Sequence, residues 1–206
     1  MLMNFKNTYT DLELNRNFYT VWARLPKDVE VFIHEYLKPI KDSLVWASTY
    51  SGELARRTPH ITLRYLGYLG YLDEINREKI DIDVSKFKEE IRDVNSINLE
   101  LGNIEIFEKY LDGKLVKARL TWKILNADEI RETHNKLLKV EGYDFFVNLE
   151  GDNFRPHISL GSIDPTNLEN INRVKEYIEK NKVENKKYLV KDIELNLCGD
   201  TIPLLN

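Results

Sequence analysis

The sequence predicts an α+β protein built from two pseudo-symmetric lobes, and three observations carry that prediction. Hydrophobic residues recur alternately at strand and at helix spacing along the chain, so strands and helices interleave. The phrase Pro-His-Ile-(Thr/Ser)-Leu is written twice, at Pro59 to Leu63 and at Pro156 to Leu160. Each copy follows a strand pattern and then a helix pattern, which gives two related α+β units. Residues 1–16 are polar and aperiodic and read as a loose tail or an added edge strand, leaving 17–206 as a single bilobal domain.

The elements follow in order. "FYTVWARLP" (Phe18 to Pro26) is β-branched and aromatic and stops at a proline, as a strand does. Val29, Phe32, Ile33, Tyr36, Leu37 and Ile40 form one face of a helix that ends near Pro39. "HITLRYLG" is the next strand. Asp83 is placed to cap a helix whose inner face is Val84, Phe87, Ile91 and Val94.

"INLELGNIEIFE" alternates, then slips one residue at Gly102-Asn103, which predicts a β-bulge. Asp112-Gly113 signals a hairpin turn. The strand after it puts Val116, Ala118, Leu120, Trp122 and Ile124 on one face and Lys117, Arg119, Thr121 and Lys123 on the other. Ile130, His134, Leu137 and Leu138 mark a helix stopped by Gly142. "RPHISLGSI" is a strand, and Leu168, Ile171, Val174 and Ile178 mark a last helix. "YLVKDIELNLC" closes the pattern as one strand with Leu189, Lys191, Ile193, Leu195 and Leu197 on one side.

Composition narrows the function classes. Hydrophobic residues at 42% and aromatics at 11% suffice for a buried core. Thirty basic and 34 acidic residues leave a net charge of −4, which argues against a protein that holds long nucleic acids through an overall basic surface. A small anion in a local pocket stays compatible. The single cysteine, Cys198, provides no disulfide framework or thiolate metal cluster. No apolar run has membrane-spanning length and the first residues lack a signal-peptide layout, so the expected setting is cytoplasmic, with no membrane and no obligate protein partner.

The doubled phrase carries the chemistry. Alternation along a strand puts His60 and Thr62 on one face, with Arg64 two residues on, over inward Ile61 and Leu63. His157 and Ser159 pair in the same way over Ile158 and Leu160. Two imidazoles facing one cleft suit phosphoester cleavage without a metal. One takes a proton from the attacking oxygen, and the other donates a proton to the leaving oxygen. Thr62 and Ser159 donate hydrogen bonds to phosphoryl oxygens as charge grows there. Two histidines and two hydroxyls lack the carboxylates or thiolates of zinc and magnesium sites, so no metal and no cofactor is expected.

With its spacing and setting, the doubled His-Φ-(Ser/Thr)-Φ pattern resembles the two-histidine (2H) phosphoesterase superfamily. "PHITLRYLG" is similar to the first motif of its 2′-5′ RNA ligase and cyclic phosphodiesterase branch, and "FRPHISL" to the second. The short stretches "YTVWARLP" and "LCGDT" are similar to plant-type cyclic phosphodiesterases. The resemblance implies a bilobal fold, with a central cleft lined by two antiparallel sheets, and a catalytic set of His60, Thr62, His157 and Ser159. Ser159 stands where threonine is more frequent and keeps the hydroxyl. The acidic surface departs from common members and counts against a long RNA substrate.

The expected activity is therefore hydrolysis of a nucleotide phosphodiester, a 2′,3′-cyclic phosphate or a 2′-5′ linkage, with a nucleotide or short oligonucleotide as partner. A cyclic oligonucleotide immune signal, an RNA end and a silent nucleotide- or RNA-binding module stand as alternatives. Arg64 is placed to neutralise phosphate, and Tyr19, Tyr65 and Phe154 offer rings for stacking a base. Arg56 and Arg57 read as a solvated loop, His134 as a core residue and His34 as exposed. The row Lys117, Arg119, Thr121, Lys123 either lines the cleft or is an ordinary wet face.

Overall fold

Strand β1 (Phe18–Arg24) alternates Val21 and Ala23, both fully buried, with half-buried Trp22 and Arg24. It thereby sets the two faces that the rest of the sheet continues. The structure is a computed structural model that describes residues 18–47, 58–68, 82–142, 154–197 and 200–205. The N-terminal tail, Arg56, Arg57 and Cys198 lie outside these residues. After β1 come helix α1 (Lys27–Leu37), a 3₁₀ turn (Lys38–Ser43) around Pro39, β2 (Trp46–Ala47) and β3 (His60–Tyr68). Helix α2 (Val84–Glu90), the hairpin β4 (Ile97–Leu111) and β5 (Lys114–Ile124), and helix α3 (Asp128–Leu138) follow. The chain closes with β6 (His157–Ile163), α4 (Leu168–Lys180), β7 (Lys186–Val190), β8 (Asp192–Leu197) and β9 (Asp200–Pro203). No helix among the described residues is long and apolar enough to cross a membrane.

Local signals explain most boundaries. The Asp83 carboxylate accepts the Ser85 amide at 3.1 Å as the expected cap of α2, and Asn167 accepts the Asn170 amide at 3.0 Å to cap α4. Asp112 and Gly113 both take positive φ, 50° and 74°, in the turn between β4 and β5. The slip at Gly102-Asn103 is a register shift between Leu101 and Ile104 against β5. Val116 and Leu168, expected to point inward, are exposed: Val116 precedes the stretch of β5 that pairs with β6, and Leu168 is the first residue of α4. His34, expected to be exposed, is half-buried.

Among the described residues the strands make one antiparallel sheet in the order β7-β4-β5-β6-β3-β1-β8-β9, with β2 paired to β6. The two motif strands are central and adjacent. On each side of them comes the strand that precedes the motif by one helix, β1 beside β3 and β5 beside β6. Beyond these lie β8 on one side and β4 on the other, so the two halves mirror each other in strand order. Among the described residues the pairing of β3 with β6 makes the strands one continuous sheet.

The last predicted strand corrects itself. It breaks at Lys191 into β7, at one end of the strand path, and β8, next to the last strand at the other end. Six strand spacings in a flat sheet would span roughly 29 Å, whereas one linking residue reaches roughly 7 Å. The sheet therefore curls, and Lys191 bridges the closing gap. The face swaps at the break too: Leu189 is exposed, while Val190, Ile193 and Leu195 are buried.

The helices cover one face of this sheet. Val29 and Ile33 of α1, Phe87 and Ile91 of α2, Ile130 and Leu137 of α3, and Ile171 and Val174 of α4 join the inward strand residues in a single core cluster. Ile61 and Ile158 are at its centre and fully buried, each contributing about 1.5–3 kcal/mol through burial. The opposite face carries the histidines.

Candidate active site

Both motif strands repeat one local structure. In β3 the register against β1 shifts between Trp22↔Thr62 and Val21↔Arg64, leaving Leu63 as an extra residue. In β6 the register against β5 shifts between Thr121↔Ser159 and Leu120↔Gly161, leaving Leu160 extra. Each strand thus carries a β-bulge one residue after its hydroxyl. The burial rhythm agrees residue by residue. Ile61, Leu63, Arg64 and Leu66 are buried, with Thr62 and Tyr65 half-buried; Ile158, Leu160, Gly161 and Ile163 are buried, with Ser159 and Ser162 half-buried.

The bulge corrects the reading of Arg64. Simple alternation would keep it beside His60 and Thr62, but the extra residue turns it to the helix-covered side, where it is 1% exposed. Its Nη1 donates to the carbonyls of Leu137, in the last turn of α3, and, at 2.9 Å, Val140, just past its end. Arg64 joins α3 to β3 and does not face the cleft. The same bulge brings Tyr65 onto the His60 face, opposite Thr20.

Two more expectations change. Tyr19 shares the side of Val21 and Ala23 and packs against the core. Phe154 lies against His134, ring centroids 3.8 Å apart and planes 9° apart, so one of its faces is taken within the protein. His134 is a core residue, as expected. Its Nδ1–H donates to the Leu63 carbonyl at 2.6 Å. Burial pushes its pKa below the ordinary value; the Leu63 carbonyl opposes this and the Arg64 guanidinium adds to it.

The two histidines are held alike. His60 Nδ1 lies 2.7 Å from the Thr58 carbonyl and His157 Nδ1 lies 2.8 Å from the Arg155 carbonyl, each across an intervening proline. A carbonyl only accepts, so each Nδ1 carries the proton and each Nε2 is the unprotonated ring nitrogen of the neutral form. The strands pair antiparallel at Ile61↔Ile158. Carried one residue either way, that register sets His60 opposite Ser159 and Thr62 opposite His157. Each hydroxyl stands beside the histidine of the other motif. The two histidines are diagonal neighbours on one face, a relation that puts such residues about 7–8 Å apart, with their Cβ atoms somewhat closer.

The walls of the site differ. Trp22, which pairs with Thr62, lies against His60 with ring centroids 4.4 Å apart, and its Nε1 donates to Glu194 at 2.9 Å. Counting alternate residues from Val21 and Ala23 would have singled out Trp22. On the other side, Lys123 pairs with His157, Thr121 with Ser159 and Arg119 with Ser162. The basic row of β5 therefore lines the cleft and is not a detached wet face. A cavity of about 420 Å³ runs along it, bounded by Lys117, Arg119, Lys123, Arg131, Arg155 and His157.

His157 keeps an exposed outer edge. Nevertheless, desolvation by the atoms packed around its ring pushes its pKa below the usual histidine value. The Arg155 carbonyl opposes that shift, while the Arg119 and Lys117 cations reinforce it. These influences favour the neutral imidazole of His157.

Comparison with solved structures finds the same fold in Kluyveromyces marxianus Usb1, at 12% identity and a TM-score of 0.52, covering 93% of this chain and 99% of that one. Kluyveromyces marxianus Usb1 with uridine monophosphate matches at 12% identity and a TM-score of 0.51, with the same coverage. E. coli LigT complexed with ATP matches at 14% identity, 91% and 93% coverage and a TM-score of 0.47. No curated protein matches the sequence. Residues 26–196 match the sequence profile of the 2′-5′ RNA ligase superfamily. That match spans both motifs and most of the chain, and the chain belongs to this superfamily of two-histidine phosphoesterases.

Proposed function

We propose that the protein is a phosphodiesterase that hydrolyses a nucleotide 2′,3′-cyclic phosphate or 2′-5′ linkage by general acid and base catalysis, with no metal taking part. The observation that supports this most is the pairing of two identically held imidazoles. Both Nδ1 atoms are tied to carbonyls, and the strand register sets the hydroxyl of the other motif opposite each histidine.

His157, whose surroundings favour the neutral imidazole, takes a proton from the attacking water on Nε2. The water oxygen bonds to phosphorus, the bond to the leaving oxygen breaks, and protonated His60 donates its Nε2 proton to that oxygen. Thr62 and Ser159 donate hydrogen bonds to the non-bridging oxygens. Trp22 walls His60 and limits its tilt. The similar fold seen with uridine monophosphate supports a nucleotide ligand. The lone cysteine suits a cytoplasmic setting.

The test is an assay of purified protein with a chelator present, against nucleoside 2′,3′-cyclic phosphates, 2′-5′ and 3′-5′ dinucleotides and cyclic oligonucleotides. The His60→Ala/His157→Ala double variant runs beside it. Turnover of a 2′,3′-cyclic phosphate or 2′-5′ linkage that the double variant lacks is the expected result. Turnover confined to cyclic oligonucleotides would move the assignment to a signal-degrading enzyme. Silence across the panel would leave a binding module.

A further inference from the structure

Strand β4 runs well past its outer neighbour. Its pairing with β7 covers Ile97 to Leu101, and the bulge at Gly102-Asn103 lies where that pairing stops. Beyond it the strand pairs with β5 on one side, and no described residue hydrogen-bonds the backbone of its other edge. This edge runs from Asn103 to Leu111, with Phe107 at its middle. An open edge is a row of amides and carbonyls ready to take another strand, unless its side chains prevent it.

The side chains here do not prevent it; they select a partner. Phe107, Tyr110 and Leu111 are 46%, 57% and 60% exposed. Glu105 and Lys109 flank Phe107 on the open face of the sheet, and neither has an ion-pair partner among the described residues. Lys109 stands opposite Lys117 of β5, a like-charge pair that an anion on its free side would offset. Glu108, on the helix-covered side, already holds the Lys175 ammonium at 2.7 Å and the Tyr110 hydroxyl at 3.0 Å.

The edge is complementary to itself. When two copies pair about a two-fold axis normal to the sheet, alternation requires that one residue meet its own copy. With Phe107 on the axis, Glu105 falls opposite the partner's Lys109, and Lys109 opposite the partner's Glu105. Phe107 meets the partner's Phe107, and Tyr110 meets the partner's Ile104. Placing Glu108 or Lys109 on the axis would instead set like charges face to face.

We propose that the free edge of β4 is a homodimer interface, two copies pairing antiparallel about Phe107 so that their sheets become one. Glu105 and Phe107 also line the cavity beside His157, so the partner's Lys109 comes to the rim of that cavity. Both cavities then open on the same side of the joined sheet. The interface does not depend on the reaction catalysed.

The test is the oligomeric state of the full chain, measured by sedimentation across a concentration series. A monomer–dimer equilibrium is expected. Lys109→Glu and Glu105→Lys are each expected to raise its dissociation constant by roughly fivefold or more, since each sets like charges opposite twice. The double variant Glu105→Lys/Lys109→Glu restores opposite charges and should recover most of the loss. Unchanged melting temperatures show that the variants are folded. In wild-type protein, hydrogen exchange should slow with rising concentration over residues 103–111. A monomer at every concentration, a dimer indifferent to the single substitutions or not recovered by the double one, or protection confined to other segments would each overturn the interface.

Discussion

Ile61 stands opposite Ile158, and at that pair the two halves of the sheet meet. Both are fully buried against the core, so the side chains on either side of each are turned to the open face together. A hydrophobic contact at the base of the site thus sets the diagonal of His60 and His157.

Removing either imidazole should leave the ligand bound and the chemistry slow. His60→Ala and His157→Ala are each expected to lower kcat by roughly 10²–10⁴-fold, with nucleotide affinity changed far less. Chelator should leave wild-type kcat unaltered. Steady-state kinetics and a separate binding titration check this, and a strict divalent-ion requirement would refute it.

The pH profile should carry the mark of the groove. His157 works as a base only when neutral, and its pKa is held below the usual value by desolvation first and then by Arg119 and Lys117. The acidic limb of kcat/KM should therefore lie below about 6.5. Lys123, Arg131, Arg155 and Glu105 also face this groove and remain in place when Lys117→Gln is made. That substitution should move the limb upward, because a lost cation makes protonation of His157 easier. A limb that stays put would contradict the assignment of His157 as the base.

Arg64 should matter to stability and not to substrate. Arg64→Met leaves the carbonyls of Leu137 and Val140 without their charged donor and is expected to cost about 2–3 kcal/mol in urea unfolding. In the cold, where the variant stays folded, KM should match wild type. A raised KM with unchanged stability would return Arg64 to the cleft.

Acid should destabilise the fold through His134. Its folded pKa lies below the ordinary value, so as pH falls the unfolded chain takes the proton first. Stability contributed by neutral His134 is complete above about pH 6.5 and is lost as pH drops from there toward the folded value. His134→Leu should flatten part of that slope while lowering stability at neutral pH, since the Leu63 carbonyl loses its donor. Urea midpoints across the pH range measure both effects.

Gly161 occupies the place in β6 that Arg64 takes in β3, and here the space is closed. A Cβ would lie 2.8 Å from the Trp46 carbonyl oxygen, across the β2–β6 pairing. Gly161→Ala is expected to cost about 1–3 kcal/mol by overpacking, read from the same unfolding experiment.

Much of this molecule was legible in one dimension. The doubled phrase singles out His60, Thr62, His157 and Ser159 as a candidate set, and alternation found the strands that carry them. The bulge at Gly102-Asn103, the Asp83 cap and the inward His134 could also be read directly, because each depends on neighbours within a few residues. What remained hidden depends on partners far along the chain. Alternation assigns a face only until a strand gains an extra residue. At Leu63 and Leu160 the extra residue exists only relative to β1 and β5, so pairing alone could send Arg64 inward and Tyr65 outward. The break at Lys191 follows from a curl that no single strand contains. Whether the β5 cations face solvent or the histidines was likewise decided when β5 took β6 as its neighbour, because a side chain's face is local whereas what that face looks onto is set by the whole sheet.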